Sequence, residues 1–130
     1  QAALGRMQLR RLTSFVQRRR ILAANYQEAL GNRVLGWHQS AVRNAYANGY
    51  RCIALVSDAP SKVARMERVG VKAAVPIERF ELLHRYLKLK PEDFPVAESL
   101  VAQTLSLPVY PELTDEEVSR VVSAANEVLL

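Results

Sequence analysis

Leu105-Ser106-Leu107-Pro108-Val109-Tyr110-Pro111-Glu112-Leu113-Thr114-Asp115-Glu116-Glu117-Val118 is the stretch that decides the architecture of this chain. Its first half is extended and apolar, but two prolines lack the amide proton a central strand must donate, so it reads as an edge strand at best. Its second half opens a helix. In Thr114-Asp115-Glu116-Glu117 the threonine oxygen can accept an amide proton three residues on while Glu117 reaches back, a capping box. The helix that follows places Val118, Val121, Val122, Ala125, Val128 and Leu129 on one face. A short strand handing over to a one-faced helix calls for a sheet-and-helix layer.

Working outward, Pro95 opens a helix holding Val96, Leu100, Val101 and Leu105, and Lys90-Pro91-Glu92-Asp93 is a turn. Residues 81–89 read as a short helix with Leu82, Leu83, Tyr86 and Leu87 inside, and residues 71–77 as a short strand ended by Pro76. Ser57 and Asp58 can cap a helix with Pro60 in its first turn, carrying Val63, Met66 and Val69 and stopping at Gly70. From Val42 to Val56 the residues favour a strand, with Asn48-Gly49 marking a bend or bulge. Residues 33–41, including Trp37 and His38, look like a loop. Residues 2–30 read as one long helix with Leu4, Met7, Leu12, Phe15, Leu22, Tyr26 and Ala29 at three- and four-residue steps, stopped by Gly31-Asn32. At 1.5 Å per residue that helix is about 40 Å long, more than a small domain's diameter. Helices of that length run between domains or line a subunit interface. The element order predicts a small α/β (α+β) layer: a narrow, mostly antiparallel sheet with helices on one face.

With 130 residues, 49% of them hydrophobic, the chain suits one domain that buries roughly two thirds of its unfolded surface. The single cysteine, Cys52, sits in the apolar run Cys52-Ile53-Ala54-Leu55-Val56, reads as a core thiol, and excludes an internal disulfide or a cysteine-rich metal cluster. No window approaches the ~18 apolar residues of a membrane span, and nothing resembles a signal peptide, so a soluble protein of the reducing cytoplasm is expected. The first residue is Gln1, and helix-like sequence begins at once without a cap; the expectation is a piece of something longer. The net charge of +5 is polarised, with +6 over residues 1–33, +6 over 34–90 and −7 over 91–130. Such a split can attract nucleic acid, or lay the acidic tail across the basic helix or across a partner subunit; nucleic acid is the disfavoured reading.

Little chemistry stands out. The five glycines are scattered singly, with no phosphate loop, and the two histidines, His38 and His84, are far apart. Glu92-Asp93 and Asp115-Glu116-Glu117 sit at helix starts, where the macrodipole accounts for them. Arg18-Arg19-Arg20 reads as a solvated face in preference to a phosphate-binding ridge, having only Phe15 and Tyr26 nearby to stack bases. His84, in Leu82-Leu83-His84-Arg85-Tyr86, lies where a strand's end meets a short helix. Ligands are often met at such a place, but a capping or half-buried histidine is the plainer reading.

Three stretches resemble one family. Residues 1–9, Gln1-Ala2-Ala3-Leu4-Gly5-Arg6-Met7-Gln8-Leu9, with Leu12 and Arg18-Arg19-Arg20, resemble the interdomain helix of DegT/StrS-type sugar aminotransferases. Phe94-Pro95-Val96-Ala97-Glu98 resembles that family's Phe-Pro-x-Ala-Glu element, and the stretch quoted at the outset resembles its closing signature. Order and spacing agree over essentially the whole chain. The resemblance implies part of a fold-type-I enzyme that uses pyridoxal phosphate (PLP) to move an amino group onto a nucleotide-linked keto sugar, working as a homodimer. Residues 1–33 would be the interdomain helix and residues 34–130 the small C-terminal α/β domain that closes over substrate.

In that family the Schiff-base lysine, the acidic partner of the pyridine nitrogen and the phosphate donors all precede the matching segment. Lys62, Lys72, Lys88 and Lys90 do not match the Schiff-base motif. PLP is thus expected in the full-length enzyme and not on this segment, which would depend on a large PLP domain, a homodimer partner and a nucleotide sugar, with no membrane. His84 aligns with the family's histidine after the second small-domain strand, implying a substrate contact, and Lys72 lies near the same pocket edge. Where many members carry Pro-Leu-His, this chain reads Ala74-Val75-Pro76-Ile77-Glu78-Arg79-Phe80-Glu81-Leu82-Leu83-His84. The alternative function is a non-enzymatic module that uses the basic helix to bind nucleic acid or an acidic protein.

Overall fold

A helix of 29 residues, α1 (Ala2–Leu30), leads the chain, and only its second half is buried. The computed structural model describes residues 2–35 and 47–129. Leu22, Ala23, Tyr26 and Leu30 of α1 enter the core, whereas Leu4, Met7, Leu9 and Leu12 stand in the open. Ala29, expected on the inner stripe, faces outward; Leu30 and Ala23 take that role, because contact begins only at Phe15 and then follows the three-to-four spacing from Leu22. Gly31 stops the helix at φ +59°, as its residue type predicts. A single 3-10 turn (Gly31–Arg33) follows.

The sheet is narrow and antiparallel. Strand β1 (Cys52–Leu55) pairs with β2 (Thr104–Leu107), Cys52 opposite Leu107 and Leu55 opposite Thr104. Val34 bridges to the outer side of β1, and Ala74 bridges to Ser106 on the other side of β2. Cys52, Ala54, Leu105 and Leu107 form the buried face, and helices cover it. Three strand expectations need correction. The strand expected from Val42 to Val56 is only four residues long within the described range, since Asn48 accepts the Tyr50 amide and Gly49 turns at φ +70°, bending the chain away before β1; Val42 to Tyr46, like Trp37 and His38, lie outside the described residues. The expected strand over residues 71–77 is one bridge, because the Ala73 amide turns back to Val71 and Pro76 has none to give. And β2 is no edge: both its sides are paired, since its prolines at 108 and 111 fall after the paired residues.

Helix α2 (Ala59–Arg68) is capped by Asp58, which accepts the Ser61 amide, and ends before Gly70 at φ +81°. Helix α4 (Pro95–Gln103) follows a 3-10 turn at Pro91–Asp93, and α5 (Asp115–Val128) starts on the expected box, with Thr114 and Glu117 bonded reciprocally. Met66 of α2 and Val118, Val121, Ala125 and Val128 of α5 close the core over Cys52, Leu105 and Leu107. Burying each larger aliphatic side chain contributes ~1.5–3 kcal/mol. The helix expected over residues 81–89 is instead a 3-10 turn (Arg79–Glu81) followed by one helical turn, α3 (Leu83–Tyr86). Of the four residues expected inside, only Leu82 is buried. Leu83, Tyr86 and Leu87 are exposed, while Leu82 and His84 are buried.

The three arginines in mid-α1 are more than a solvated face. Arg18 donates to the Leu113 carbonyl at 2.6 Å and pairs with Asp115 at 2.9 Å, and Arg20 donates to the Ala47 carbonyl at 2.9 Å. A Cβ on Gly49 would stand 2.7 Å from the Arg19 Cβ, so glycine is what lets this segment approach α1. The acidic tail thus lies across the basic helix, one of the two arrangements the polarised charge allowed.

Candidate functional site

Phe94 and Glu98 are four residues apart at the start of α4, a spacing that puts both on one side of a helix entrance. There they meet His84. The imidazole is 5% exposed, stacks on Phe94 with ring centroids 4.5 Å apart and planes 7° from parallel, and places Nε2 2.8 Å from Glu98 Oε1. Arg85 donates to both oxygens of the same carboxylate, at 2.6 Å from Nε and 2.9 Å from Nη2. Arg79 stands 3.7 Å from Oε2. One carboxylate therefore organises three nitrogenous side chains. The Arg85 hydrogen bonds, then that of His84, hold the Glu98 carboxyl well below its usual range, at about 2. It accepts and does not act as an acid near neutral pH.

His84 is the residue singled out from sequence, and the fold places it behind this cluster rather than on an open wall. Arg79, by contrast, is largely exposed and lines a cavity of about 310 Å³ with Asp58, Pro60, Val75, Glu78 and Val101. Glu98, Arg85 and Arg79 were missed as functional candidates. The signal that pointed to Glu98 was its place four residues after Phe94; nothing local announced that residues fourteen apart, His84 and Glu98, would meet.

Lys72 lies elsewhere. It is exposed on the rim of a groove of about 560 Å³, shared with Tyr110, Glu117 and Arg120 over a floor that includes Val71, Leu113 and Val121. Neither His84 nor Glu98 lines that groove. Tyr26 passes beneath the sheet's end, donating its hydroxyl to the Pro108 carbonyl at 2.9 Å; burial pushes its ionisation far above the ordinary range, so it stays a neutral donor. Among the described residues no three His, Cys, Asp or Glu side chains are placed to hold a metal ion, and no helix is long and apolar enough to cross a membrane.

Residues 1–126 match the DegT/DnrJ/EryC1/StrS aminotransferase family. The spore coat polysaccharide biosynthesis protein SpsC of Bacillus subtilis (strain 168) is 29% identical over 140 residues, covering 99% of this chain and 36% of SpsC. Among solved structures, the aminotransferase TlmJ from Streptoalloteichus hindustanus superposes with a TM-score of 0.84 at 26% identity, over 98% of this chain and 35% of TlmJ. DesV of S. venezuelae, solved in complex with a ketimine intermediate, gives 0.81 at 26% identity over the same shares. The chain spans about a third of the length of the relatives it matches.

Proposed function

From the premise that the chain belongs to the DegT/DnrJ/EryC1/StrS aminotransferase family, we propose that it serves as the small C-terminal domain of a PLP-dependent aminotransferase acting on nucleotide-linked keto sugars. On this reading it contributes substrate closure and dimer contacts and does not catalyse alone. Residues 1–33 form the interdomain helix and residues 34–130 the small domain. The observation that carries the reading is the divided burial of α1: its second half is built into the core, while its first presents Leu4, Met7, Leu9 and Leu12 uncovered. A large domain packed there would cover them. A second uncovered apolar face, formed by Phe80, Leu83, Tyr86 and Leu87, suits the rest of the enzyme or a partner subunit.

PLP needs a lysine for its aldehyde, an acid for its ring nitrogen and donors for its phosphate. The described residues do not fit it. Lys62 donates to the Val128 carbonyl, Lys72 stands on an open rim, and Lys88 and Lys90 are exposed. The one carboxylate lining the groove with Lys72 is Glu117, which is engaged in capping α5. The cofactor's machinery belongs, on this reading, to the large domain. Lys72 is proposed as a contact for an anionic part of the substrate. The rival reading, a basic binding module, loses Arg18 and Arg20, whose guanidinium groups are engaged within the fold.

The test is direct. The 130-residue chain, mixed with PLP and reduced with borohydride, is expected to show no stable lysine adduct by intact mass, whereas a full-length enzyme carrying it forms one and transaminates a nucleotide-linked keto sugar. A stoichiometric adduct on a single lysine of the isolated chain sinks the proposal.

A further inference from the structure

The sheet stops short beside Lys72 for a reason written in the sequence. Ala74 and Ser106 exchange both of their hydrogen bonds, at 3.2 and 2.7 Å, so the antiparallel register sets Pro76 opposite Thr104 and Lys72 opposite Pro108. A proline stands in each of these next pairs and has no amide proton to give. The Pro108 carbonyl, moreover, already accepts the Tyr26 hydroxyl at 2.9 Å. The two segments stay unpaired there, and both line the groove of about 560 Å³, Val71 and Lys72 from one and Pro108 and Tyr110 from the other. Val71, Leu113 and Val121 give it a buried apolar wall. Among the described residues, the Lys72 amide and carbonyl and the Tyr110 amide have no hydrogen-bond partner. Both residues are exposed.

Unpaired backbone donors and an acceptor beside an apolar wall are what an extended segment meets when it adds itself to a sheet. The charge on the groove narrows the occupant. Glu117 lines it but is engaged by the Thr114 amide and hydroxyl. Arg120 lines it and makes no hydrogen bond among the described residues, so a cation is left for an acidic side chain. Position narrows it further. The Leu113 carbonyl, on the groove, accepts Arg18 near the point where α1 leaves the core and its uncovered arm begins. The groove thus adjoins the arm that the large domain covers on the functional reading above. We propose that it is a slot for an extended, acidic and apolar segment of that large domain, whose backbone pairs with Lys72 and Tyr110 and whose carboxylate meets Arg120. The inference rests on that reading and goes further by giving the large domain a second attachment, one that completes the sheet. The Lys72 ammonium, on the rim, keeps the anionic contact assigned to it.

Hydrogen exchange read by mass spectrometry compares the 130-residue chain with the substrate-free full-length enzyme, over peptides spanning residues 71–75 and 109–113. The Lys72 and Tyr110 amides are expected to exchange freely in the chain and about a hundredfold more slowly in the enzyme. Arg120→Gln speeds their exchange about threefold in the enzyme, the scale of one partly exposed ion pair, and leaves the isolated chain unchanged. A short photo-cross-linker carried on the Lys72 amine, in enzyme assembled from isotopically heavy and light copies, identifies the occupant by mass. Links to an acid-containing stretch of the same copy support the proposal. Links to the other copy make the groove a subunit contact and overturn it. Protection that arises only when a nucleotide-linked keto sugar is added overturns it too, because the groove is then a substrate site. An enzyme that forms its PLP adduct and transaminates while these amides stay open defeats this inference alone. One that does neither defeats the functional reading, and this inference with it.

Discussion

Lys88 holds φ at +57°, a left-handed backbone that costs a side-chain-bearing residue ~1–2 kcal/mol. It does so because α3 ends in a Schellman motif: the Leu89 amide reaches back to the His84 carbonyl and the Lys88 amide to that of Arg85. Glycine is the usual occupant of that position. Lys88→Gly is therefore expected to stabilise the chain by about 0.5–1 kcal/mol once glycine's larger unfolded entropy is set against the relieved strain. A higher urea midpoint at unchanged slope is the outcome that checks it. The same residue explains why the helix over residues 81–89 could not be read correctly. Leucines at 82, 83, 87 and 89 suggest an apolar face, but lysine at a left-handed stop gives no warning, and the one turn that forms buries His84 instead. His84 was legible as a residue of interest. Its partners were not, because histidine–carboxylate pairing across a turn leaves no local pattern.

Elements shorter than about a dozen residues have little helix stability of their own, and α3 has four. Its position is set by the Glu98 contacts, which are acid-labile in a defined window. The folded-state pKa of Glu98 is about 2, below the ordinary 4.5, so its contribution is complete above 4.5 and is lost as pH falls toward 2. Glu117 is also lowered, chiefly by the Thr114 amide, so α5 has a dependence of the same sign at its own start. Glu98→Gln separates the two. It is expected to make the amides of Leu83–Tyr86 exchange faster at neutral pH and to remove their acid sensitivity, leaving α5 as in the wild type. Hydrogen exchange followed by NMR reads both. Elements with chemical start or stop signals were legible: the box at Thr114, Pro95, Asp58 and the glycines at 31 and 70 all act as read. Strand extents were not, because pairing depends on partners distant in sequence. Residues 71–77 have strand-like composition, yet only Ala74 finds a partner.

On the scale of the molecule, α1 belongs to two environments. In the isolated chain, Leu4→Glu and Leu9→Glu are expected to change unfolding free energy by less than about 0.5 kcal/mol, whereas Leu22→Ala costs about 2–5 kcal/mol. In the full-length enzyme the two glutamates together are expected to lower the thermal midpoint, because the surface they charge is covered there on the proposed reading. Equal sensitivity of the isolated chain and the full-length enzyme to Leu4→Glu, by urea and thermal unfolding, would contradict that division. The Arg18 bonds to the Leu113 carbonyl and Asp115 mark where the embedded half begins. A continuous helix clamped at one end behaves as a lever. Its outer arm, residues 2–17, is about 24 Å long at 1.5 Å per residue, so a tilt of about 10° at the Arg18 fulcrum carries the tip about 4 Å. On the proposed reading, rocking of the domain that covers Leu4 and Met7 would be carried along this arm to the core that Tyr26 and Leu30 enter.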